Sequence, residues 1–198
     1  NYLTGFAKQQ SYRKLLVAPV TLRNGIEKLI KREIQYAKNG FDAKIIAKMN
    51  SLVDPEIIKL LYEASKEGVK IELIIRGMCC LYPQKNGLSE NIKVTSIIGR
   101  FLEHSRIFWF SNNGNAEVFI GSADWMRRNL DRRVEAVTPI EDIKIKKEIK
   151  RLLDFYLEEN KDAWDMQSDG SYTKNQVLND KKRCIQEKII NVYRKEGN

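Results

Sequence analysis

The chain has 198 residues, is 42% hydrophobic and 31% charged, and carries a formal net charge of +9. That length holds one domain of ordinary size plus an extension, and the balance suits a globular domain that folds in water. The longest apolar runs, 15–20 (LLVAPV) and 71–75 (IELII), fall far short of the roughly 20 residues a bilayer-spanning helix needs. No transmembrane helix and no secretory leader is therefore expected. A first residue Asn1 in place of Met points to a fragment of a longer chain. The three cysteines, Cys79, Cys80 and Cys184, lack CxxC spacing, which argues against a disulfide framework and a zinc site and for a reducing cytoplasm. Up to Ile140 there are 22 Lys and Arg against 14 Asp and Glu; from Glu141 onward there are 13 against 12. The basic excess belongs to the main domain and points to a polyanionic partner, with a solubilising surface as the plain alternative.

Residues 1–13 are polar with scattered aromatics and read as a lead-in from upstream structure. Residues 15–18 read as a buried strand. Thr21 suits the N-cap of a helix whose Ile26, Leu29, Ile30 and Ile34 have helical spacing, ended by Asn39-Gly40. Residues 44–49 (KIIAKM) form a second strand. Asp54-Pro55 then starts a helix with Ile57, Ile58, Leu61 and Tyr62 inside, closed by Gly68. Residues 69–76 form a third strand, and a turn-rich loop follows. Three β-like runs come next, 94–98, 107–110 and 118–120, the last two joined by the hairpin residues Asn112-Asn113-Gly114. A further run at 133–138 precedes an amphipathic helix over 140–160. The order implies an α/β fold, a mixed and mostly parallel sheet flanked by helices. The expected boundaries are a domain at 14–160 and a helical tail at 161–198, with a turn at Asp169 and a basic helix over 179–195.

His104, the only histidine, lies in RFLEHSRIFWF just before a β run. Imidazole can accept and release a phosphoryl group or a proton near neutral pH. Arg106, two residues on, would share its face of an extended strand. The plain reading is a surface histidine at a strand edge. Arg76 ends the third strand beside Gly77, where strand ends of α/β sheets open onto ligands. Its forked donors match phosphate oxygens; a structural ion pair explains it equally well. Lys48 and Asn50 at the end of the second strand could face the same crevice, or be an exposed terminus. Gly121-Ser122 offers a hydroxyl and backbone N–H groups to an anion. Asp124 could hold His104 or an arginine, and Arg127, Arg128, Arg132 and Arg133 read mostly as a solvated face.

His104, basic Arg106, and Gly121-Ser122 after the next strand resemble the HxK…GS arrangement of the phospholipase D superfamily. Two such halves pack together there, with their histidines flanking one phosphorus centre. Arg106 stands in place of the lysine, and Ser111 stands where the motif's aspartate falls. Longer strings, NYLTGF, IIAKMNSLVD, IIRGMCCL, GRFLEH and GSADWMRRNLDRRVEAVTPI, are similar to the C-terminal region of bacterial polyphosphate kinases of the phospholipase-D-like type. The resemblance runs from residue 1 to about residue 159.

The resemblance implies a phospholipase-D-like domain over 14–160. It also implies reversible transfer of the ATP γ-phosphoryl to polyphosphate through a phosphohistidine in an upstream half. His104 matches the family's second essential histidine and Arg76 its phosphate-contacting arginine, and the resemblance implies that both contact the phosphates of ATP. Lys48, Asn50, Arg106, Ser122 and Asp124 are candidate phosphate or supporting contacts. Magnesium is expected with ATP, held mainly by upstream parts, and no metal ligand is assigned to this chain. The implied partners are ATP or ADP, polyphosphate, the upstream domains of the same enzyme and further copies of it. The implied location is the cytoplasm, with membrane association left open. A phospholipase-D-like nuclease or lipid phosphodiesterase half, completing its site by dimerising, is the alternative; Arg106 and Ser111 count against it. A nucleic-acid module is not expected, because aromatic residues are not interleaved with the basic ones as a stacking platform needs.

Overall fold

The computed structural model describes residues 12–158, 161–175 and 184–196. Residues 1–11 of the expected lead-in and 176–183 of the tail lie outside them. β1 (Leu16–Ala18) leads into α1 (Leu22–Lys38), which buries Ile26, Ile30 and Ile34. Thr21 stands at the helix start, but its hydroxyl accepts from the Val17 N–H at 2.9 Å and so ties down β1 instead of capping the helix. β2 (Lys44–Met49), α2 (Pro55–Lys66) and β3 (Lys70–Ile75) make a β–α–β unit. Asp54 caps α2 by accepting from the Ile57 N–H at 3.0 Å, with Pro55 at the first helical position, where no donor is missed.

β4 (Ile92–Ile97) follows a long loop. β5 (Arg106–Phe110), β6 (Glu117–Gly121), a short α3 (Arg127–Asp131) and β7 (Glu135–Ile140) come next. α4 (Ile143–Leu157), β8 (Ala163–Met166), β9 (Tyr172–Lys174) and α5 (Ile185–Glu196) complete the chain. Strand order is β1-β7-β6-β5-β2-β3-β4-β8-β9 in a single sheet.

Two expectations need correction. The sheet is mixed, but only β2–β3 and β3–β4 pair in parallel, and the remaining neighbours are antiparallel. A parallel pair requires a long crossover, whereas short turns force antiparallel pairing. The β5–β6 turn is such a case: Asn112, Asn113 and Gly114 take left-handed φ values of 46°, 49° and 85°. The stretch 161–198 is also not purely helical. Its β8 and β9 extend the sheet beyond β4, joined by a turn in which Asp169 accepts from the Ser171 N–H at 2.8 Å.

The sheet is covered on both faces. α1 and α2 pack on Ile45, Ala47, Met49, Leu73 and Phe108, while α4 and α5 contribute Leu153, Tyr156 and Ile185 against Ile46, Ile74 and Ile107. Alternation along β2 therefore sends Lys48, two residues after Ile46, toward the α4 layer. Its ammonium lies 4.9 Å from the centre of the Tyr156 ring.

Candidate active site

Register fixes which strand ends meet. Met49 and Ile75 are partners at the carboxyl ends of β2 and β3. β5 runs the other way, so its first residue, Arg106, reaches the same sheet edge, opposite Gly121 of β6. Lys48, Asn50, Arg76, His104, Arg106, Ser122 and Asp124 thus gather along one edge, the place where strand ends offer backbone and side chains to a ligand.

His104 precedes β5 and lies in the loop. Its side chain is exposed and makes no hydrogen bond or ion pair among the described residues. The expected His-x-Arg pair on one strand face is absent. Arg106 instead donates from one terminal nitrogen to the His104 carbonyl at 3.1 Å. Its other donors make a fork onto Asp124, at 3.1 and 3.2 Å. Asp124 also accepts from the Asn50 backbone N–H at 2.8 Å and from the Asn50 amide at 3.3 Å. Asn50, Arg106 and Asp124 form one buried polar knot that fixes the end of β2 against the start of β5. The Asn50 Oδ1 is buried there without a partner, the one unfilled position in the knot.

Arg76 is different. Its Nε is buried and unpartnered, and no carboxylate pairs with it among the described residues. A guanidinium left without a counter-ion at a half-buried edge is costly unless an anion completes it. Lys48 is only 2% exposed. Burial lowers its pKa, the Glu103 carboxylate opposes that, and the positive charges of Arg76 and Arg106 add to the lowering. Those charges identify Lys48, Arg76 and Arg106 as neighbours. Lys48 reaches Glu103 at 3.1 Å and the Ser105 hydroxyl at 2.8 Å, so it is an internal contact and not an exposed strand terminus.

The Ser122 hydroxyl is not left for a bound anion: it donates to Glu135, which also accepts from Asn129 at 2.6 Å. Ser111 donates to Glu33 at 2.6 Å, and Glu33, on α1 and fully buried, also accepts from the Asn112 N–H at 3.0 Å. A carboxylate thus stands at the end of β5 after all, delivered by a helix. Among the described residues no three His, Cys, Asp or Glu side chains group as metal ligands. The donor set at this edge is cationic and does not fit a resident divalent ion. No helix among the described residues is long and apolar enough to cross a membrane.

Sequence reasoning missed Glu103, Gln186, Glu135 and Glu33. Only Glu103 left a trace, as an acid beside the lone histidine that any buried lysine nearby would need. Gln186, at the start of α5, left none.

A family profile described as polyphosphate kinase C-terminal domain 2 matches residues 15–186. A polyphosphate kinase of Prochlorococcus marinus (strain MIT 9313) is 65% identical over 194 residues, covering 98% of this chain and 27% of that protein. The crystal structure of the Porphyromonas gingivalis polyphosphate kinase superposes with a TM-score of 0.93 at 38% identity, over 98% of this chain and 30% of the other. Nuc from Salmonella typhimurium, a phospholipase D family member, superposes at 0.56 with 17% identity, over 78% of this chain and 97% of its own, a likeness of fold. The chain thus spans about a quarter of the length of the curated relative it matches, and it belongs to the polyphosphate kinase family as its C-terminal domain 2.

Proposed function

We propose that this chain is the part of a polyphosphate kinase that holds the phosphates of ATP and polyphosphate and presents His104 to the phosphoryl group in transfer. The observation that carries the reading is Arg76, whose guanidinium lacks a carboxylate among the described residues, whereas Arg106 is forked onto Asp124.

In this reading an imidazole outside this chain attacks the γ-phosphorus of ATP, and ADP leaves with the bond electrons. A terminal oxygen of polyphosphate then attacks the phosphohistidine and the chain grows by one phosphate; the reverse sequence consumes polyphosphate. In such transfers the protein's work is positioning and neutralising charge on the equatorial oxygens. Arg76 supplies a forked cation there. The exposed imidazole of His104, with no partner among the described residues, can hydrogen-bond the leaving or attacking oxygen. Magnesium would accompany ATP, held by groups outside this chain. The phosphodiesterase reading is weaker: Arg106 is spent on Asp124 and on the His104 carbonyl, and Ser111 on Glu33.

The test is polyphosphate synthesis by the full-length enzyme that contains this chain. His104→Ala and Arg76→Ala should each lower it by at least about 100-fold, the scale of a positioned proton-transfer or charge-stabilising group. Near-normal synthesis by both variants overturns the reading. The 198-residue chain alone should make no polyphosphate from ATP.

A further inference from the structure

The loop from β4 to β5 carries His104, yet its apolar side chains do not anchor it. Ile98, Phe101 and Leu102 are 60%, 49% and 72% exposed. Something else must hold the imidazole in place. Lys48 contacts Glu103 at 3.1 Å and Ser105 at 2.8 Å, the residues immediately before and after His104. Glu103 is 9% exposed and is the hub of the arrangement. Besides Lys48 it accepts from the Gln186 amide at 2.6 Å, and its charge adds to the burial that raises the pKa of the Tyr156 phenol.

Gln186 extends the grip along the loop. Its Oε1 accepts from the Phe101 N–H at 2.8 Å, and its Nε2 donates to the Phe101 carbonyl at 2.8 Å as well as to Glu103. Both amide protons and one lone pair are used, in a side chain only 4% exposed. This pattern admits only one orientation of the amide. The fit is close: a Cβ at Gly99 would stand 2.6 Å from Gln186 Oε1. Two elements distant in sequence, β2 and α5, converge on the residue beside His104.

We infer that Lys48, Glu103 and Gln186 form a latch that fixes His104 by clamping the chain on both sides of it, with Gln186 on α5 as a positioning residue for phosphoryl transfer. The link to catalysis rests on the function proposed above; the latch itself does not. A solvent-facing loop held by buried hydrogen bonds opens locally when one of them is removed, without global unfolding. A loosened imidazole spends less time in the reactive geometry, so kcat falls while ATP binding through Arg76 is kept.

Two measurements test this. His104 is the only histidine, so the labelled 198-residue chain gives one imidazole NMR signal. Gln186→Leu should broaden or move that signal and speed amide exchange over residues 101–105 by at least about 10-fold, leaving β2 and β3 protected. In the full-length enzyme the same variant should lower kcat by at least about 10-fold with KM for ATP within about twofold. On a His104→Ala background it should change the rate by less than about twofold, because residues acting as a unit are not additive. Gly99→Ala, which displaces Gln186, should act in the same direction if Gln186→Leu folds poorly. Unchanged exchange and an unmoved imidazole signal in both variants overturn the latch. Faster exchange with an equal loss of kcat on both backgrounds reduces Gln186 to a structural residue and overturns its positioning role. If His104→Ala itself keeps full synthesis, the proposed function fails, while the exchange data still decide the latch.

Discussion

Two buried charged networks flank the sheet, and they are balanced differently. On the α1 side, Arg23 engages two carboxylates: Asp131 at 2.6 and 2.7 Å and Asp54 at 3.0 and 2.6 Å. One cation hydrogen-bonds two anions, with the Glu27 carboxylate a further neighbour at 3.9 Å, and the network joins α1, the cap of α2 and the end of α3. On the edge that carries His104, three neighbouring cations, Lys48, Arg76 and Arg106, meet two carboxylates, Glu103 and Asp124. The first network leaves no cation without a carboxylate and serves stability. The second leaves a cation over, and an anionic guest would neutralise it.

The comparison can be broken at either end. Arg76→Ala removes the surplus cation, and the loss of at least about 100-fold in synthesis should come with little change in melting temperature. Arg76→Lys keeps the charge but loses the fork, and should recover only part of the activity. Arg23→Ala should do the reverse. Leaving Asp54, 1% exposed, without its cation costs about 3 kcal/mol, or roughly 6–12 °C in Tm for a chain of this size. Calorimetry that finds no shift would equate the two networks.

A smaller effect concerns acid. Burial pushes the Asp54 carboxyl up, but hydrogen bonds from Arg23 and Ile57 outweigh it and hold the group below its ordinary 3.8. The unfolded chain therefore takes up this proton first as pH falls. The stabilisation is complete above about pH 3.8 and is lost below it; Asp54→Asn should flatten that acid limb in pH-dependent denaturation. The smallest effect belongs to the exposed pair Lys150–Asp154. Lys150→Ala should change stability by less than about 0.5 kcal/mol, a baseline for what a surface ion pair contributes.

Local chemistry was legible in the sequence, and distant pairing was not. Asp54-Pro55 announces a helix start, and the Asn112-Asn113-Gly114 turn announces its hairpin, because each depends on adjacent residues alone. β8 and β9 are short, and β9 is exposed at every position; a polar edge strand has no periodicity to find. The edge position of Arg76 followed from reading a strand end. Lys48 could not be read as buried, because its hydroxyl partner lies 57 residues away. Gln186 depends on α5 folding back onto the β4–β5 loop, and no local pattern encodes that return.

The carboxylate that Glu33 brings to Ser111 bears on how such domains are compared with one another. A scan along β5 alone records a lost acid, yet the fold has replaced it from another segment. Positions 33 and 111 should therefore vary as a pair across homologues: where aspartate occupies position 111, a second buried acid at 33 would meet like charge and should give way to a neutral residue.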